Sequence, residues 1–367
     1  MTDIGVRSIR WRPFRLPMDA HFQAASGLLA AREGVLVQLE DTDGRRGTGE
    51  ASPMEALDGG TVAAVIGLLE AHGADVVSDI ESAGDGPGAT ALRCALDVAM
   101  LDLRASAAGV PIAALFTDEP APWVHVNAVI GGGPPDEVSG YGLEALEAGY
   151  GVLKLKVGVA SLGEDTKRVA ALREAFPEAT IRLDANCAWD EQTTLRAFEE
   201  LYRYRIELLE QPTPADDIEG LARIREQAPM RIAADESVDT AERFDQLLEL
   251  QAADLIVLKP MFLGGITPAF ALAERAAERS ISAFATTTFD SSIGIAASLH
   301  LAAALPTDAA QGLGTGAHLG ADVTASTLLP RAGRLALPAA PGLGVKPDPD
   351  ALDAVATAPW AEVAVEA

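Results

Sequence analysis

Apolar and polar positions alternate along residues 4–16 and again along 34–42, a period of two that predicts strands with one buried face. Asp43-Gly44 supplies a turn before a third short strand at 47–53. The period then changes. Residues 61–71 and 88–108 carry apolar side chains at helical spacing, and the longer run stops at Gly109, just ahead of Pro111. These elements predict an α+β unit over residues 1–120, ending in the proline-rich stretch 117–123.

Beyond it, short apolar runs alternate with helical patterns. Strands are predicted at 125–130, 151–158, 180–186, 206–212, 231–237, 253–260, 281–288 and, more briefly, 308–314. Helices are predicted between them, at 164–176, 193–204, 218–227, 241–250, 266–279 and 294–304. Eight parallel-type strands at this spacing predict a (β/α)8-type TIM barrel over 121–319. The rival architecture, a doubly wound open sheet, is disfavoured because no Gly-x-Gly-x-x-Gly loop follows any strand. The tail, 320–367, is rich in proline and glycine yet apolar, and is expected to pack back on the N-terminal α+β unit as part of a capping domain.

The formal charge is −26, from 54 acidic and 28 basic residues. That balance argues against nucleic acid and against an anionic membrane surface as partners. No apolar run reaches membrane-spanning length, and the first residues lack a signal-peptide core, so a cytoplasmic protein is expected. The two cysteines, Cys94 and Cys187, define no disulfide framework. Homo-oligomers are common enough that a symmetric assembly is a general expectation.

Charge becomes informative in its distribution. Only five of the 28 basic residues are lysines, and three of those, Lys154, Lys156 and Lys259, end apolar runs. A lysine can be tuned into a neutral base, whereas arginine cannot. Polar residues also fall at the C-terminal ends of the other predicted strands: Asp184 and Asn186, then Glu210, then Asp235 and Glu236. In a barrel that face carries the chemistry. Asp184, Glu210 and Asp235, from three successive strands, form an all-oxygen set suited to Mg2+, with Mn2+ as the alternative. Zinc is disfavoured because the five histidines are scattered. Lysines beside such a centre suggest abstraction of a proton next to a carboxylate, with the metal stabilising the enediolate and a small carboxylate-bearing substrate as the partner. Placing Lys154 beside Lys156 is expected to lower the pKa of both.

At these residues the chain resembles the enolase superfamily, in particular its muconate lactonizing enzyme subgroup. Lys154-Leu155-Lys156 matches the subgroup's Lys-x-Lys, Asp184, Glu210 and Asp235 its metal ligands, and Lys259, followed by Gly264-Gly265, its sixth-strand lysine. A lysine or histidine base working with Mg2+ is a known property of that superfamily rather than a deduction from this chain. The resemblance implies a substrate loop near 18–27 and a second near 50–54. It further implies Lys156 as base, Lys154 as its neighbour, and Lys259 as electrostatic stabiliser or second base.

Within the subgroup, the segments 286–294 and 312–323 look most like o-succinylbenzoate synthases, which dehydrate the cyclohexadiene precursor SHCHC in menaquinone biosynthesis. Asp290 stands where muconate cycloisomerases have a glutamate, and Ser291 and Ser292 follow it as candidate substrate neighbours, together with Asn186 and Glu236. N-succinylamino acid racemase, dipeptide epimerase and muconate cycloisomerase are the alternatives. The Asp-x-Asp of dipeptide epimerases is absent from 312–316. A non-catalytic binding protein should lack an essential group, and none is missing.

Overall fold

The computed structural model describes residues 4–18, 23, 24, 27, 28, 30–55, 59–73, 75, 84 and 86–365. Its first strands are β1 (Val6–Pro17), the two-residue β2 (Gln23–Ala24) and β3 (Gly27–Leu28), β4 (Ala31–Asp41) and β5 (Arg46–Ala51). β1, β4 and β5 pair antiparallel, and the helix Ala89–Ala108 lies on the sheet. The approach is close: a Cβ at Gly47 or Gly49 would collide with the carbonyl of Ala99 or Ala95. Glycine at those two strand positions is what lets the helix backbone settle there. The expected substrate loop at 18–27 lies for the most part outside the described residues.

The next strands are β6 (Trp123–His125), β7 (Ala128–Ile130), β8 (Val152–Lys156), β9 (Thr180–Asp184), β10 (Ile206–Glu210), β11 (Arg231–Ala234), β12 (Leu255–Leu258) and β13 (Ser282–Ala285). β7 to β13 form one parallel sheet in sequence order. Its edges meet through two bridges, Gln311 to Val126 and Gly312 to Thr286. The expected eighth strand is therefore reduced to two residues. Just beyond them the chain turns into the 3-10 segment Thr315–His318.

The expected first strand, 125–130, is also two pieces. β7 enters the barrel, whereas β6 pairs antiparallel with β14 (Arg334–Ala336), where the Arg334 guanidinium sits 4.0 Å from the Trp123 ring centroid. The last strand, β15 (Ala361–Ala364), extends the N-terminal sheet beside β1. Among the described residues, no helix is long and apolar enough to cross a membrane.

Register places the chemistry. Lys156 stands opposite Asp184, and Asp184 opposite Glu210, in one row across β8, β9 and β10. The layer beneath aligns Lys154, Arg182 and Leu208. Leu208, Ala233, Leu255, Val257 and Phe284 form a separate buried cluster contributed by β10 to β13. Each large member contributes about 1.5–3 kcal/mol by its burial. The helices after β8 to β11 begin with caps of their own: Ser161 in a capping box with Glu164, then Asp190, Asp217 and Thr240.

Candidate active site

The strand-end lysines and acids converge. Lys154 Nζ lies 2.7 Å from Glu210 Oε1 and 3.0 Å from Asp184 Oδ2, bridging the two carboxylates. Lys156 Nζ is 2.5 Å from Asp184 Oδ2 and donates to Asn186 Oδ1 at 2.8 Å. Lys259 Nζ is 2.6 Å from Asp235 Oδ2. Asn186 donates its amide to Glu236 Oε1 at 3.3 Å, which brings that acid into the same network. Lys156 has the most exposed side chain of the three lysines, at 29%, so the mouth of the barrel reaches it first.

The backbone is held in sparsely populated conformations at this point. Asn186, Cys187 and Gln211 all have positive φ, immediately beyond Asp184 and Glu210. Gln211 ties the strand ends together. Its Oε1 accepts from the amides of Asp235 and Ser237, and its Nε2 donates to Ser237 Oγ and the Thr213 carbonyl. Gln211 escaped the sequence reading, because a glutamine after a strand carries no distinctive pattern.

The electrostatics correct one expectation. Burial depresses the Lys154 ammonium, but Asp184, Glu210 and Asp235 together outweigh it, and its pKa ends above that of free lysine. The attraction of those three acids, and not the like charge of Lys156, decides the direction at Lys154. Burial likewise depresses Lys259, and Asp235 and Glu236 more than reverse it. Burial opposes ionisation of Asp184, yet Lys154 and Lys156 hold its pKa well below the usual range. Glu210 is pushed up to about 8 by burial and then by Asp184, and Glu236 to about 7 by burial and then by Asp235.

Among the described residues, no three acidic, His or Cys side chains converge closely enough to hold a metal ion. Asp184, Glu210 and Asp235 are instead each turned on to a lysine. The donor set still fits a hard divalent cation on a direct observation: Glu210 Oε2 is buried without a hydrogen-bond partner, as is Glu236 Oε2. Lys154 Nζ also shows that a cation is accepted between Asp184 and Glu210.

Three further candidates are engaged elsewhere. Ser291 donates through Oγ and its amide to Glu50 of β5, Ser292 Oγ lies 2.5 Å from Asp322 Oδ2, and Asp290 accepts from Thr288 and sits 3.9 Å from Arg32. These contacts join the barrel to the capping domain and the tail. A buried polar run gives the same sequence signal whether it faces a substrate or another domain. A further residue that sequence reading missed is Arg182. It is buried at 1%, donates to the Ala310 carbonyl at 2.6 Å and to Glu207 Oε2 at 2.6 Å, and packs over Phe284. Its place two residues before Asp184, on the same strand face, was the available signal.

This arrangement, acids at successive barrel strand ends with lysines on both sides, belongs to a known class. The chain belongs to the enolase superfamily: residues 142–351 match the Enolase C-terminal domain-like family. It is 29% identical to muconate cycloisomerase 1 of Rhodococcus opacus over 96% of this chain and 98% of that one. It is 38% identical to an o-succinylbenzoate synthase of Thermobifida fusca over 56% of this chain and 64% of that one. Among solved structures, the dipeptide epimerase of Enterococcus faecalis V583, complexed with Mg and the dipeptide L-Leu-L-Tyr, aligns with a TM-score of 0.87 at 28% identity. That alignment covers 93% of this chain and 99% of that one.

Proposed function

We propose that the chain removes a proton next to a carboxylate with the help of a divalent metal, and that its substrate is SHCHC, dehydrated to o-succinylbenzoate in menaquinone biosynthesis. The observation that carries the reaction class is the row of Lys156, Asp184 and Glu210, with Lys259 on Asp235 and one Glu210 oxygen buried and unpartnered. The choice of substrate is supported by the 38% identity to a synthase and by the resemblance of the 286–294 and 312–323 segments.

Asp184, Glu210 and Asp235 would hold Mg2+, or Mn2+ in its place; when bound, the ion supplies positive charge to the substrate carboxylate as negative charge builds there. Lys156, the most exposed amine of the three, takes the proton from the adjacent carbon. Lys154, wedged between Asp184 and Glu210, keeps both acids aimed at the centre. Lys156 then returns the proton to the departing hydroxyl, so that the carbon–oxygen bond breaks and water leaves. Lys259 contributes charge from the far side.

A second reading has its own observation. Lys156 ends β8 and Lys259 follows β12, four places apart in the sheet order, and the two are paired with different acids, Asp184 and Asp235. That separation suits two bases serving opposite faces of one carbon, as a racemase or epimerase requires. Turnover of SHCHC, N-succinylamino acids and dipeptides should be compared with Mg2+ present. Fast SHCHC dehydration with slow racemisation supports the synthase; dominant epimerisation of dipeptides overturns it.

A further inference from the structure

The barrel helix Ile266–Ala277, after β12, has no side-chain cap of its own, because its N-cap is Gly265. Its free amides are met from the other domain. Asp97, midway along the capping-domain helix Ala89–Ala108, accepts through Oδ2 from Ile266 N at 2.8 Å and Thr267 N at 3.1 Å. Gly265 has φ 133°, and a Cβ there would collide with the Asp97 carboxylate. The close approach of that carboxylate is a sufficient reason for glycine at this position.

Lys259 sits at the other end of the same short segment. Its carbonyl accepts from the amides of Phe262 at 2.9 Å and Leu263 at 3.0 Å, and Gly265 N closes on to the Pro260 carbonyl at 2.9 Å. Residues 259–265 are thus one hydrogen-bonded turn, with the lysine at its start and the Asp97 clamp on the next residue, Ile266. A second tie from the capping domain joins it midway, where Ser52 N meets Met261 Sδ at 3.2 Å.

We propose that Asp97 is a positioning residue for Lys259: by capping Ile266 and Thr267 from the other domain, it sets where the Lys259 amine stands. The consequence for catalysis rests on the role assigned to Lys259 above. Lys156, on β8, has no such tie to Asp97 and serves as the internal control.

The first measurement needs no substrate. Trace acetylation with acetic anhydride, read by mass spectrometry, reports each lysine separately, and the exposed Lys167 and Lys346 provide references. In Asp97→Ala, Lys259 should label about threefold faster or more relative to Lys346 as the turn loosens, with Lys156 unchanged. Asp97→Asn, which keeps an acceptor oxygen, should restore most of the difference. Equal changes at Lys156 and Lys259, or none at either, overturn the proposal.

The second measurement uses N-succinyl-L-leucine and N-succinyl-D-leucine in D2O with Mg2+. Lys259→Ala identifies the enantiomer whose α-proton exchange depends on that lysine. Asp97→Ala should slow exchange of that enantiomer by about tenfold or more and spare the other. Slowing of an enantiomer whose exchange Lys259→Ala leaves unchanged reveals a merely structural role and overturns the proposal. If the unmodified protein exchanges neither probe, the two-base reading fails, and the labelling result alone decides whether Asp97 positions Lys259.

Discussion

Glu210 presents one carboxylate oxygen to Lys154 at 2.7 Å and keeps the other buried with no partner. Ionising a carboxyl buried in that state is costly, which agrees with its raised pKa, unless a cation completes the free oxygen. Glu210→Gln should therefore weaken binding of Mn2+, followed by electron paramagnetic resonance, on the order of 10–100-fold or more. Asp235→Asn should behave alike. Unchanged affinity in either variant removes that residue from the ligand set.

Lys156→Ala separates chemistry from folding. Loss of a general base costs about 10²–10⁴-fold or more in turnover. The side chain is partly exposed, so the melting temperature should hardly move. A variant that keeps its activity would assign the base elsewhere, and one that unfolds would make Lys156 a structural residue.

Arg182 makes the opposite prediction. Among the described residues it is the largest fully buried side chain, and it anchors the Ala310 carbonyl, next to the residues that join the barrel edges. Arg182→Ala should cost about 2–5 kcal/mol by urea unfolding, from the cavity, the freed carbonyl and the lost ion pair. Glu207 keeps Arg231 as a partner at 2.5 Å, which limits the penalty. A cost within error of zero would mean the barrel closes without it.

His300 adds a pH dependence. The ring is fully buried, accepts from Ala113 N at 3.2 Å and donates to the Leu343 carbonyl at 3.0 Å, so it is held neutral. Burial lowers its pKa to about 4, with the Leu343 contact opposing in part. The unfolded chain takes up the proton near pH 6.5, so stability from this group is complete above that pH. It declines by about 1.4 kcal/mol per pH unit as pH falls towards 4. The advantage of the unmodified protein over His300→Gln should shrink by about 2 kcal/mol between about pH 7.5 and about pH 5. A constant difference would contradict the neutral, buried ring.

The barrel was legible because its strands are short apolar runs buried on both faces, each ending in a polar residue, as in Thr180–Asp184 and Ile206–Glu210. Lys154, Lys156, Asp184, Glu210, Asp235 and Lys259 could be read for the same reason. The division of 125–130 was not legible, since alternation within a run does not say which sheet each half joins. Nor was the interdomain engagement of Asp290, Ser291 and Ser292, which depends on Glu50, Arg32 and Asp322 arriving from distant parts of the chain. The raised pKa of Lys154 depends in the same way on acids from three other strands.

Deuterium exchange at the carbon next to the substrate carboxylate, followed by NMR in D2O alongside SHCHC turnover, reads the proton abstraction itself. SHCHC turnover, and any exchange on N-succinylamino acids, should require Mg2+ or Mn2+, disappear with a chelator, and be lost in the Lys156→Ala, Lys259→Ala double variant. Exchange or turnover that persists without divalent metal, or in the double variant, would contradict metal-assisted abstraction by these lysines, as would the absence of both reactions in the metal-loaded protein.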